Sequence, residues 1–126
     1  MMQIAFASDD GITVNQHFGW SKMFYLYHVD KDAASLIKTL DSSEEPEGEK
    51  EKLSYKIGTI DEADIMYCTQ IGPTASKMVQ AAKIHPVRVA EGESIADAIS
   101  KLQEMLRTNA PPWLLRIYHK SAMRSA

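Results

Sequence analysis

A lone cysteine, Cys68, in a chain of 126 residues excludes an intramolecular disulfide, a zinc ribbon, or an iron–sulfur cage built from several of its own thiolates. No segment approaches the roughly 20 apolar residues of a membrane span. The N-terminal stretch lacks a basic region followed by an apolar run, so no signal peptide and no membrane partner are expected. Positive charge is scarce as a pattern too. Lys and Arg number 14 against 17 Asp and Glu, and the net charge of −3 supplies no basic stripe for a phosphate backbone. Nucleic acid is therefore not the expected partner, and the expected location is the cytoplasm. Of the four histidines, His17, His28, His85 and His119, no two stand at i, i+4 on a helix, which argues against a self-contained imidazole cage.

What is present reads as one globular domain. Strands are expected over about 2–7, 23–29 and 33–40, the last two joined by the turn Asp30-Lys31-Asp32 as a hairpin. The acidic stretch 41–48, broken by Pro46 and Gly48, reads as a solvated loop. From Glu49 the period changes. Leu53, Ile57 and Ile60 share one helical face, and Ile65-Met66-Tyr67-Cys68 reads as a buried strand. A second helix opens after Gly72-Pro73, a fifth strand covers 86–89, and Ser94 with Asp97 starts a third helix with an apolar stripe from Ile95 to Leu106.

The order β-β-β-α-β-α-β-α predicts an α/β fold with a mixed five-stranded sheet, order 3-2-1-4-5, flanked by helices as in ribonuclease H-like folds. A cofactor-binding domain over 1–109 is expected, followed by a C-terminal tail over 110–126. In the tail, Pro111 and Pro112 stop the third helix. Trp113, Leu114, Leu115 and Ile117 then either fold back onto the domain, the preferred reading, or face a partner.

That sheet order brings two loops together at a point where open α/β sheets bind ligands. The loop after the first strand carries Gln16-His17-Phe18-Gly19-Trp20, with Phe18 and Trp20 expected to anchor it and leave the imidazole presented. The loop after the fourth strand carries Ile71-Gly72-Pro73-Thr74, where glycine admits close backbone approach, proline suits the first helical turn, and free N–H groups favour an anion. With no second glycine and no following lysine, an ordinary strand–helix turn is preferred there to a phosphate loop. Cys68 reads as a small buried hydrophobe, and the seven methionines as core filler. Asp9, Asp10 and Asp64 do not form the carboxylate quartet of a magnesium nuclease, because Asp64 falls at the opposite sheet edge from the other two.

Taken together, Ile4-Ala5-Phe6-Ala7-Ser8, Gln16 to Trp20, Phe24 to Tyr27, Ile71 to Ala75, His85 to Val89, Ile95 to Ile99 and Pro111 to Leu114 resemble the nitrogenase iron–molybdenum cofactor biosynthesis family, within it the NifX-type carriers. The resemblance spans about residues 2–115. It implies a non-enzymatic protein that binds the iron–molybdenum cofactor, or its iron–sulfur precursor, and passes it between nitrogenase cofactor-assembly proteins and on to apo-dinitrogenase. It also implies a role for His17 as metal ligand, since the His-Phe-Gly histidine of a related carrier is implicated in cofactor binding. His17, Phe18, Gly19, Gly72 and Thr74 are the expected cofactor-binding residues, with Lys22 and Lys77 as electrostatic helpers and Cys68 left open. Two rivals stand beside this reading: an interaction module stabilising a nitrogenase subunit through the tail, and a metal-dependent phosphoryl-transfer enzyme.

Overall fold

A computed structural model describes residues 1–125 of the chain. The elements are β1 (Met2–Ala7), β2 (Thr13–Val14), β3 (Met23–Val29), β4 (Ala34–Asp41), α1 (Glu49–Thr59), β5 (Ile65–Cys68), α2 (Pro73–Ala81), β6 (His85–Arg88), β7 (Glu93–Ser94), α3 (Ile95–Thr108) and α4 (Pro112–Ser125). One 3₁₀ turn, Phe18–Trp20, lies between β2 and β3. Five strands form one mixed sheet in the order β4-β3-β1-β5-β6, the order read from the sequence once β2 and β7 are set aside. β3 pairs antiparallel with β1 and β4, while β5 runs parallel to both β1 and β6.

The central strands are buried on both faces, so their period-2 alternation sorts side chains between two cores and not between core and water. Ala5, Ala7, Phe24, Leu26, Met66 and Cys68 meet Leu53, Ile57 and Ile60 of the α1 segment and Ala75 and Val79 of α2. Ile4, Phe6, Ile65 and Tyr67 face the other way and meet Ile95, Ala98, Ile99 and Leu102 of α3. The helix α3 is capped as its sequence predicts, the Ser94 hydroxyl accepting from the Asp97 N–H at 2.9 Å.

Two features were not legible as elements. β2 and β7 are two residues each and pair Thr13 with Ser94 and Val14 with Glu93, too short to carry a periodic signal. The tail folds back as a helix: Pro112 occupies its first turn, Leu114 is fully buried, and Trp113, Ile117 and Tyr118 pack on the α3 core. Near its far end Arg124 makes a two-pronged ion pair with Asp64 at 2.6 and 2.8 Å. Asp64 also accepts from the Gln3 N–H at 2.8 Å, so this carboxylate clamps α4 to the start of β1. Asp9 and Asp10 follow the other end of that strand, and the three carboxylates do not converge. Ala126, the last residue of the expected tail, lies outside the described residues.

His85 ties α4 to the sheet. Its ring stacks on Trp113 with centroids 4.0 Å apart and planes 5° apart. Burial, and then the Arg116 charge, hold its pKa below the ordinary imidazole value. The unfolded chain therefore takes up this proton more readily. Stability from His85 is complete above about pH 6.5 and is lost as pH falls toward the lower folded value. Protection of the α4 amides, taken relative to the intrinsic exchange rate at each pH, is expected to fall below about pH 6.5 in the natural protein and to stay flat in His85→Phe, which keeps an aromatic stack without the proton. Equal acid sensitivity in both proteins would place its origin elsewhere.

Candidate functional site

The first loop leaves β1 through a tight polar turn. The Asp10 carboxylate accepts the N–H groups of Thr13 and Ile12, each at 2.8 Å, and the Thr13 hydroxyl at 2.8 Å. Those bonds hold its pKa far below the usual carboxylate range. Gly11 sits at φ +74°, a conformation that side chains resist. Asp9 is occupied with Asn15, so both acidic residues are turn builders.

Beyond the turn the chain rejoins the sheet line. The Thr69 N–H donates to the Gln16 carbonyl at 3.0 Å and the Phe18 N–H to the Gln70 carbonyl at 2.9 Å. His17 thereby lies beside Gln70 in a parallel bridge that prolongs the β1–β5 pairing. The two loops expected to converge are joined by hydrogen bonds. The His17 carbonyl accepts from the N–H groups of Trp20 and Ser21 at 3.1 and 3.0 Å, which winds Phe18–Trp20 into its 3₁₀ turn.

Phe18 is fully buried against Phe24, ring centroids 5.9 Å apart, and anchors the loop from below. It lines neither cleft beside His17. Trp20 does not anchor the loop. It is 65% exposed and lies flat on the His17 ring, centroids 4.3 Å apart and planes 10° apart. An exposed aromatic there fixes the ring's tilt from the solvent side, which the sequence could not distinguish from a core contact. Neither His17 ring nitrogen has a hydrogen-bond partner among the described residues. The imidazole is half-exposed, oriented and free to coordinate.

Two open clefts meet at the His17–Gln70 bridge. One, of about 560 Å³, runs from His17, Gly19 and Trp20 to Gly72, Pro73 and Thr74. The other, of about 490 Å³, runs from His17 over Thr69 to Arg88 and Glu91. Both fall in the size range of ligand pockets. Of the five expected binding residues, His17, Gly19, Gly72 and Thr74 share the first cleft. Gly72 caps α2 with no side-chain hydrogen bond, and Pro73 stands in the first turn, so the N–H groups of Thr74 and Ala75 lie beyond the reach of the helix's own carbonyls. A Cβ added at Gly19 or Gly72 would meet nothing within 4 Å, so both glycines keep the cleft roomy without being required by the backbone.

Lys22 and Lys77 line neither cleft. Lys22 faces Glu45 at 3.5 Å, and Lys77 is an exposed residue of α2. The cation that does line a cleft is Arg88, whose signal was a charged residue ending a short apolar strand. Cys68 is fully buried in the core beneath the loops, and burial pushes its thiol up to about 11 despite the opposing charge of Arg88. It behaves as the small hydrophobe its strand suggested.

Sequence reading also missed Lys56. It is fully buried in α1 and donates to the carbonyls of Ser21 at 2.6 Å and Ser42 at 3.2 Å, and to Glu45 at 3.3 Å. Ser21 closes the 3₁₀ turn after His17, so this ammonium ties the histidine loop to α1. The signal was there: a lysine three residues after Leu53 and four before Ile60 falls on the buried stripe.

Among the described residues no group of three or more His, Cys, Asp or Glu side chains is placed to hold a metal ion alone. No helix among them is long and apolar enough to cross a membrane.

A family model described as dinitrogenase iron-molybdenum cofactor matches residues 1–105. The protein NifX of Herbaspirillum seropedicae is 36% identical over 125 residues, covering 98% of this chain and 86% of its own. NifX of Azotobacter vinelandii is 34% identical over 122 residues, covering 96% and 77%. NifY of Klebsiella pneumoniae is 27% identical over 113 residues, and the match spans 48% of its length. A crystal structure of PH0822 superposes with a TM-score of 0.64 at 23% identity, over 82% of this chain and 89% of that one, a likeness of fold.

Proposed function

The chain belongs to the dinitrogenase iron-molybdenum cofactor family, and from that premise we propose that its cargo is held at the His17–Gln70 bridge, with His17 as the metal ligand. Its role is that of a NifX-like, non-catalytic carrier in the building of nitrogenase's metallocluster. The observation that carries the site assignment is an oriented imidazole, both nitrogens unpartnered, at the junction of two clefts. The cargo is the iron–molybdenum cofactor or its iron–sulfur precursor, which arrives with its own sulfides and, when mature, an organic acid, and needs few ligands from the protein. One imidazole on iron binds less permanently than a closed cage of four thiolates, which suits a protein that must release what it holds. Gly19 and Gly72 give the cluster room, and the free N–H groups at Thr74 and Ala75 offset its negative charge. Phe18 acts from below as the loop's anchor. Donor and recipient are assembly proteins of the nitrogenase pathway, with apo-dinitrogenase as the final acceptor.

We further propose that the antiparallel β4-β3-β1 meander extended by parallel β5 and β6 is a ribonuclease H-like fold, a reading the strand order supports. Cargo binding is assigned to residues 1–109, and the segment from 110 onward stabilises the opposite end of the sheet. An interaction module acting through that segment would not need His17.

Anaerobic titration with isolated cofactor and with precursor, followed by visible absorption and iron content, tests the carrier assignment. Retention of about one cluster per chain after gel filtration is expected. A chain that retains neither would contradict it. Gly19→Ala adds an independent check. Stability is expected to change by less than about 0.5 kcal/mol, because the methyl group meets nothing. Cluster affinity should nonetheless drop severalfold as the cleft narrows, and unchanged affinity would remove that cleft from the site.

A further inference from the structure

We propose that the cleft between the His17–Gln70 bridge and the end of β6 is a carboxylate-binding subsite, in which Arg88 and Thr69 hold a carboxylate arm of the cargo while His17 holds its metal. The inference rests on the carrier reading and deepens it. Arg88 is exposed at the last position of β6 and makes no ion pair within 4 Å among the described residues. Thr69 lies at the floor of the same cleft, 8% exposed, and its hydroxyl has no hydrogen-bond partner. Buried hydroxyls are seldom left unpaired in folded proteins, and an unpaired one beside a cleft is available to a further group. Gln70, exposed on the bridge, lines the same cleft.

A guanidinium fork flanked by a hydroxyl and an amide is a donor set matched to a planar carboxylate. Phosphate fits less well, because a tetrahedral anion cannot lay all its acceptors in the plane of the fork. The cleft shares His17 and Gln70 with the glycine-lined cleft and otherwise has its own lining. A cluster ligated by His17 therefore has the glycine side for its inorganic body and the Arg88 side for an organic acid. A cluster lacking the acid would leave the Arg88 side unused. The subsite thus discriminates between mature and immature cargo.

The test has two arms. In the first, the cluster-free protein is titrated with citrate and with inorganic phosphate and followed by amide chemical shifts. Citrate is expected to perturb Thr69, Gln70 and Arg88. Arg88→Gln should weaken that binding at least tenfold and Thr69→Val severalfold, with Thr69→Val no less stable than the natural protein. Phosphate should bind more weakly than citrate. Perturbations lying elsewhere, or unchanged in Arg88→Gln, would overturn the subsite. In the second, affinity is measured for the cluster with and without its organic acid. Arg88→Gln should weaken the first at least fivefold and leave the second unaltered. Equal affinities of the natural and Arg88→Gln proteins for the acid-bearing cluster would overturn the subsite while leaving His17 ligation standing. A natural protein that binds neither cluster, with citrate still mapping to Arg88, would overturn the carrier reading and leave a site for free carboxylates.

Discussion

Lys56→Ala is expected to lower stability by roughly 3 kcal/mol, among the larger effects of a single substitution in this chain. The ammonium is fully buried and donates to two backbone carbonyls, Ser21 and Ser42, which lose their partner in the variant. An unsatisfied buried acceptor costs about 1–3 kcal/mol, and the vanished aliphatic stem leaves a cavity beside Leu53 and Ile57. Glu45 is spared the worst of it, since Lys52 at 3.1 Å and Lys22 at 3.5 Å still face it. Lys56→Met restores the stem without the charge and should recover about 1 kcal/mol of the loss. Chemical denaturation of the three proteins reads these differences. A loss below about 1 kcal/mol in Lys56→Ala would mean that water replaces the ammonium and that the residue does not lock the histidine loop. Because Ser21 follows the 3₁₀ turn, amide exchange at residues 17–21 should quicken in both variants.

The second large effect is on cargo, not stability. His17→Ala should change unfolding free energy by no more than about 0.5 kcal/mol, because the side chain is half-exposed and its neighbour Trp20 is outside the core. Cluster affinity should fall at least about tenfold, roughly 1.4 kcal/mol of lost coordination. Cys68→Ser should behave in the opposite sense. A hydroxyl placed in that apolar core costs about 1–3 kcal/mol of stability and leaves the affinity of the folded protein intact. Undiminished binding by His17→Ala together with loss in Cys68→Ser would transfer the ligand to the cysteine.

The sheet order was legible because β1, β3 and β5 carry dense apolar runs and because right-handed crossovers leave few arrangements for parallel strands. The convergence of the two loops followed from that order. Its chemistry was less legible. Trp20 looks the same in sequence whether it enters the core or lies over an imidazole, and the choice was made by Phe18 filling the space beneath the loop. Arg88 and Thr69 become neighbours through the β5–β6 register, which pairs Cys68 with Arg88 and is invisible to local patterns. Lys56 breaks the rule that lysines face water, and its three acceptors come from two separate segments, Ser21 after the 3₁₀ turn and Ser42 and Glu45 in the loop before α1. The α4 stripe, Trp113, Leu114, Ile117 and Tyr118, has helical spacing, but the two prolines that follow the end of α3 at Thr108, as read, also open a further helix, which the stop alone did not reveal.

The most direct test of the central claim is pulsed electron paramagnetic resonance of the cluster loaded, in a paramagnetic state, onto protein carrying ¹⁵N-labelled histidine. A histidine nitrogen coupled to the cluster spin is expected in the natural protein and in His28→Gln, His85→Gln and His119→Gln. It should vanish in His17→Ala. A coupling that persists in His17→Ala, or that is absent from a natural protein holding a full complement of cluster, would contradict ligation by His17.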